Sequence, residues 1–115
     1  MELPDFKARK GPILMLNLLK FKDRKHYFEQ YLPAFNRVIT ELGIEGVKVA
    51  LVSKVIANVI ADEDESWDEI ALVEYPNATA FKIIAESEAY HTIAEPHRIA
   101  ALTNLKLFMT QPSDL

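Results

Sequence analysis

Asn17 is the one uncharged polar residue in an otherwise apolar run, Gly11-Pro12-Ile13-Leu14-Met15-Leu16-Asn17-Leu18-Leu19-Lys20-Phe21. A side-chain amide in such surroundings can bind a carbonyl or oxyanion of a ligand, as amides do where charge develops. The plainer alternative is an amide satisfied by neighbouring backbone or a buried water, at a burial cost that a leucine would not carry. His97 and Arg98 form a second group: an imidazole suited to proton transfer beside a fixed cation that can hold an anion. Adjacent helical residues diverge by about 100°, so the two need not face one cavity, and Glu95 is a ready ion-pair partner for Arg98. Tyr27, Tyr31, Trp67 and Tyr75 offer aromatic walls and polar tips for a planar or phenolic ligand; aromatic residues at helical spacing are also ordinary core. Glu88, His91 and Glu95 fall at i, i+3 and i+7, a spacing open to a metal ion, although alternating charge on an exposed helix face is commoner. No metal site is assigned. His26 reads as a surface residue, and Asp62 to Glu65 lack the spacing and central glycine of a calcium loop.

The elements that must position these residues follow from periodicity. The run Gly11–Phe21 shows no polar/apolar alternation, the mark of a strand buried on both faces. Asp23 is an N-cap for a helix over Arg24–Leu42, with Phe28, Tyr31, Leu32, Phe35, Val38, Ile39 and Leu42 on one face. Pro33 inside it is expected to kink or split it, and Gly43 and Gly46 to end it and supply the turn. Val47 to Ala61 reads as a long β-branched edge strand, Asp62 to Ser66 as a solvated hairpin loop, and Trp67 to Tyr75 as a third strand closed by Pro76. Asn77 caps a second helix with Phe81, Ile83, Ile84 and Ala85 on its apolar face. Helical signal continues from Glu88 to Ala94, and Pro96 opens a short helix ending near Asn104. Leu105 to Thr110 is the last strand; residues 1–10 and Gln111–Leu115 are polar ends.

Strand, helix, strand, strand, helix, strand is the α+β ferredoxin-like βαββαβ order: a four-stranded antiparallel sheet with the first and third strands central and the helices on one face. Phe21, Trp67, Tyr27, Tyr31, His97 and Arg98 then gather at one end of the sheet. Tyr75 lies at the other, and Asn17 between. Two helices cover one face only, yet Leu14, Leu16 and Leu18 occupy one face of the first strand while Ile13, Met15 and Leu19 occupy the other. Leaving several such side chains in water forgoes roughly 1.5–3 kcal/mol each, so a second copy packed face to face is the economical solution.

The totals are those of one domain, residues 1–115, able to build its own core. Half of the chain is hydrophobic and the net charge is −4, which does not fit a nucleic-acid partner. There is no cysteine, so disulfides and thiolate chemistry are excluded. No run reaches membrane-spanning length, and the cytoplasm is the expected compartment.

Gly11–Phe21, Trp67–Pro76 and Ala94–Leu102 together resemble a family of small, mostly bacterial proteins known as a domain of unknown function in the dimeric α/β-barrel superfamily. The resemblance runs from about Gly11 to Met109. It implies a ferredoxin-like homodimer, and no single reaction, because that superfamily holds cofactor-free quinone-forming monooxygenases, lactone isomerases, haem proteins and members without known activity. The haem-degrading members have an Asn on the first strand, a Trp late in the third and a His on the second helical segment. Here Asn17 stands in the first place, Tyr75 replaces the late Trp, Trp67 begins the strand, and the His is His91 or His97. The leading expectation is a homodimer holding a small planar or carboxylated molecule between sheet and helices. In it Asn17 binds a carbonyl or oxyanion, His97 moves a proton and Arg98 holds an anion, for isomerisation or oxygenation with no cofactor. A non-catalytic dimerisation module is the alternative, and haem binding or degradation a third.

Overall fold

The computed structural model describes residues 11–114; the polar lead-in of residues 1–10 and the terminal Leu115 lie outside them. Strand β1 (Ile13–Phe21) begins once Pro12 is passed. It is followed by helix α1 (residues 24–42), β2 (Lys48–Lys54), β3 (Glu69–Tyr75), α2 (Ala78–Glu86), α3 (residues 88–101) and β4 (Leu102–Thr110). The sheet has four strands in the order β2-β3-β1-β4, every neighbouring pair antiparallel. This is the ferredoxin-like βαββαβ fold.

Asp23 caps α1 by accepting from the His26 backbone N–H at 3.0 Å. Asn77 caps α2 in the same way, accepting from Ala80 N–H at 2.8 Å. Gly43 closes α1 in the left-handed region, φ 67°, where a side chain is strained. Pro33 does not split α1. A π-helical turn over Tyr27–Tyr31 stands just before it, with the Leu32 N–H reaching back to the Tyr27 carbonyl. The widened turn lets the helix continue past a residue that has no N–H to give. The same device recurs in α3, where a π turn over Tyr90–Ala94 precedes Pro96 and the Glu95 N–H bonds the Tyr90 carbonyl.

Two further boundaries differ from expectation. Strand pairing of β2 stops at Lys54, opposite Glu69 at the start of β3, because no partner strand extends beyond that point; the Val55 N–H makes one last bond to the Asp68 carbonyl. Ile56, Val59 and Ile60 beyond it are 93%, 89% and 97% exposed. The last helix ends at Ala101 instead of near Asn104. There Phe21 at the end of β1 takes Leu102 as its ladder partner, and Lys22 and Asp23 both donate to the Ala101 carbonyl.

Odd-numbered residues of β1 and β3 face the helices. Ile13, Met15 and Tyr75 pack with Phe35, Val38, Ile84 and Ala94 in one buried cluster; Leu19, Ala71, Tyr27 and Ala101 form a second. Along α1 the rings of Phe21, Tyr27, Tyr31 and Phe35 follow one another, with Tyr27 and Tyr31 stacked at 5.2 Å between centroids. Leu19 is almost wholly enclosed. Leu19→Ala is expected to cost about 2–5 kcal/mol, read as a lower urea midpoint at unchanged m-value. Burial, ahead of the nearby Tyr90 and Glu69, lifts the Tyr27 hydroxyl above its ordinary pKa of 10.0. The folded chain therefore holds that proton more tightly than the unfolded one. Its contribution to stability is complete below about pH 10 and is lost as pH rises toward the folded value. Urea midpoints should accordingly fall above about pH 10, and less steeply in Tyr27→Phe.

Candidate functional site

Above the middle of the sheet the side chains leave a cavity of about 200 Å³. Met15 and Asn17 of β1, Tyr75 of β3 and Leu105 and Leu107 of β4 line it from the sheet. Tyr31 and Phe35 of α1, Phe81, Ile84 and Ala85 of α2, and Tyr90, His91, Glu95 and Arg98 of α3 line it from the helices. The lining is mostly apolar, with a few polar groups at defined places, the usual make-up of a small-molecule site.

Asn17 pairs across the sheet with Ala71 on one side and Leu107 on the other, so its side chain shares the helix-facing parity of Met15 and Leu19. Its amide nitrogen donates to the Met15 carbonyl at 3.1 Å and to the Ala71 carbonyl at 3.3 Å. Both neighbours are acceptors, which settles the orientation of the amide. The expected donor to an oxyanion is thus already committed to backbone, and Oδ1 is the atom left for other partners.

Arg98 has its Nη2 3.4 Å from Glu95 Oε2. Its Nε is buried and has no hydrogen-bond partner among the described residues. The same Glu95 oxygen lies 3.2 Å from His91 Nδ1; a carboxylate there holds the Nδ1 proton and leaves Nε2 as the basic nitrogen. Tyr31 and Tyr90 join hydroxyl to hydroxyl at 2.9 Å. Burial raises the pKa of both, and that of Tyr75. For Tyr90 the Tyr31 hydrogen bond and Arg98 offset part of the rise. The three phenols thus stay protonated at neutral pH, as hydrogen-bonding groups and not as bases.

The sequence-derived candidates divide. Asn17, Tyr31, Tyr75 and Arg98 meet in the cavity. Tyr75 was expected at the far end of the sheet, opposite Ile13; the cavity sits over mid-sheet, and a ring at the strand's end reaches it. His97 is not among the lining residues. Its Nδ1 lies 2.9 Å from His26 Nε2, a ring-to-ring bond between the starts of α1 and the last turns of α3. Tyr27 backs the cavity by stacking on Tyr31. Trp67 lies elsewhere, its indole N–H donating to Glu65 at 3.1 Å with Lys106 over the ring. Of the proposed metal set, His91 and Glu95 touch; among the described residues no group of three or more His, Cys, Asp or Glu side chains is placed to hold an ion.

Two functional-looking residues, Tyr90 and Glu69, escaped the sequence reading, and a pair, His91 and Glu95, was read without its mutual contact. Tyr90 is helical and one residue from His91, and only the fold brings its hydroxyl to Tyr31. His91 and Glu95, four apart, carried a visible spacing signal that was weighed for a metal, for haem (His91) and for an ion pair with Arg98 (Glu95), and not for their own contact. Glu69 is 2% exposed and bonds Arg24 Nε at 2.6 Å, tying the start of α1 to β3; its parity with Ala71 and Tyr75 was the available sign.

Among solved structures, the chain is similar to the RPA0582 protein of unknown function from Rhodopseudomonas palustris. Identity is 29% over 96% of this chain and 90% of that one, with a TM-score of 0.77. A Dabb-family protein with a ferredoxin-like fold from Mesorhizobium loti matches at 12% identity over 91% and 100% of the two chains, TM-score 0.57. A candidate antibiotic biosynthesis monooxygenase from Caulobacter crescentus matches at 11% identity over 91% and 92%, TM-score 0.55. No protein-family model and no curated protein matches this chain. The chain is a ferredoxin-like βαββαβ domain, similar along nearly its whole length to RPA0582.

Proposed function

We propose that the protein is a cytoplasmic homodimer whose cavity binds a small, single-ring organic carboxylate, and that it moves a proton on that ligand during isomerisation or cofactor-independent oxygenation. The observation that carries this reading is Arg98 in the lining of a mostly apolar cavity, with a buried Nε that has no hydrogen-bond partner among the described residues. A buried donor without a partner is costly, and the Nε/Nη side of a guanidinium matches a carboxylate in bidentate fashion. At about 200 Å³ the space is below the roughly 300–1,000 Å³ of drug-sized sites, which suits one ring with short substituents. A tetrapyrrole exceeds it. His91, oriented by Glu95, takes the proton-transfer role first expected of His97. The Caulobacter structure's monooxygenase description is consistent with that chemistry.

Dimerisation rests on the other face of the sheet. Leu51, Leu72, Leu16 and Phe108 stand in register across all four strands, a continuous apolar row on the face away from the described helices. Leu51 and Phe108 are each 49% exposed. Packing against a second copy covers this row. Light scattering in line with size exclusion should give twice the chain mass for the native protein and the chain mass for Leu16→Glu. A native protein that elutes as a monomer would sink the dimer. For the ligand, benzoate is expected to bind in calorimetry, and Arg98→Gln to weaken it by about tenfold or more. Equal benzoate affinity in the two proteins would remove Arg98 from the site.

A further inference from the structure

Resting on that carboxylate reading, we propose that the ligand also carries a neutral hydroxyl, and that Asn17 recognises it by accepting its proton in a hydrogen bond. The occupant is then a small hydroxy-substituted aromatic carboxylate, held by Arg98 from α3 and by Asn17 from the sheet.

The amide of Asn17 has one corner fixed and one open. Its nitrogen is fastened to two carbonyl oxygens, Met15 O and Ala71 O. Turning the amide over would bring Oδ1 against both of those oxygens and lose both bonds, so it keeps one orientation. Oδ1 accepts no hydrogen bond from the described residues and belongs to a side chain that lines the cavity. A carbonyl, enolate or phenolate oxygen placed beside it would meet lone pairs with lone pairs. A hydroxyl would donate. In a mostly apolar cavity an acceptor of this kind discriminates strongly, because a ligand lacking the donor leaves Oδ1 desolvated and unpaired. At the other end stands Arg98, whose Nη2 is shared with Glu95 at 3.4 Å. Arg98 and Leu105 also line an open groove with Lys22 and Asn104, so Arg98 borders both the cavity and the groove. Acceptor at the sheet and guanidinium on α3 together specify both ends of the molecule.

The test is a calorimetric series on the native protein with benzoate, 3-hydroxybenzoate, 4-hydroxybenzoate and 4-fluorobenzoate. Fluorine occupies the place of the hydroxyl without donating. At least one hydroxybenzoate is expected to bind about tenfold or more tighter than benzoate, with 4-fluorobenzoate ranking beside benzoate. In Asn17→Leu the preference for the hydroxyl over benzoate should disappear. Benzoate binding with no gain from either hydroxyl, or an equal gain from fluorine, overturns the proposal and leaves the carboxylate site standing. If none of the four carboxylates binds the native protein, the carboxylate reading itself falls and this inference with it. The native ranking decides the matter even if Asn17→Leu fails to fold.

Discussion

Strand β1 pairs with two strands at once, and the rest of the molecule takes its place from that. Its ladder with β3 runs from Ile13 opposite Tyr75 to Leu19 opposite Glu69, and its ladder with β4 from Leu14 opposite Thr110 to Phe21 opposite Leu102. A one-residue slip in either would exchange the two faces. Met15 and Leu19 would go to the exposed side, and Leu16 would enter the helical core. Because the pairing is double, the register is held from both edges, and α1 and α3 are brought to the same end of the sheet by the backbone bonds from Lys22 and Asp23 to Ala101.

On this frame the cavity is a consequence of where packing stops. Ala85 on α2, a small residue, leaves room that Phe35, Phe81 and Tyr75 enclose. The polar groups that reach it are of three kinds. Phenols are kept neutral by burial, the guanidinium is only partly matched by Glu95, and the amide is half spent on its own backbone. None of these is neutralised within the chain in the way that Glu69 is by Arg24.

Much of the fold was legible from local pattern. The apolar spacing of α1, the Asp23 and Asn77 caps and the unbroken hydrophobicity of β1 each report a short-range cause. The order of elements then leaves few topologies. Where the reading failed, the cause was a partner distant in sequence. β2 keeps β-branched residues as far as Ile60, yet a strand lasts only as long as its neighbour, and β3 begins at Glu69. Asn17 was visible as a buried amide, whereas the direction of that amide depends on the Ala71 carbonyl, 54 residues away. His97 looked chemical by type, and only the packing of α1 on α3 shows its ring turned to His26. Tyr90 had no local mark at all.

The paired π turns before Pro33 and Pro96 make both cavity-lining helices sensitive to length. A π turn holds one more residue than the α turn it replaces. Removing a single residue from Tyr27–Tyr31 or Tyr90–Ala94 would restore ordinary helix and rotate one side of the deletion against the other by about 100°. For the first helix a deletion between Tyr27 and Tyr31 parts those two stacked rings; for the second it parts Tyr90 from Arg98. Substitutions in these segments alter one contact each, whereas a deletion dismantles the cavity while every surviving side chain keeps its chemistry. The site is therefore encoded as much in the count of residues along two helices as in their identity.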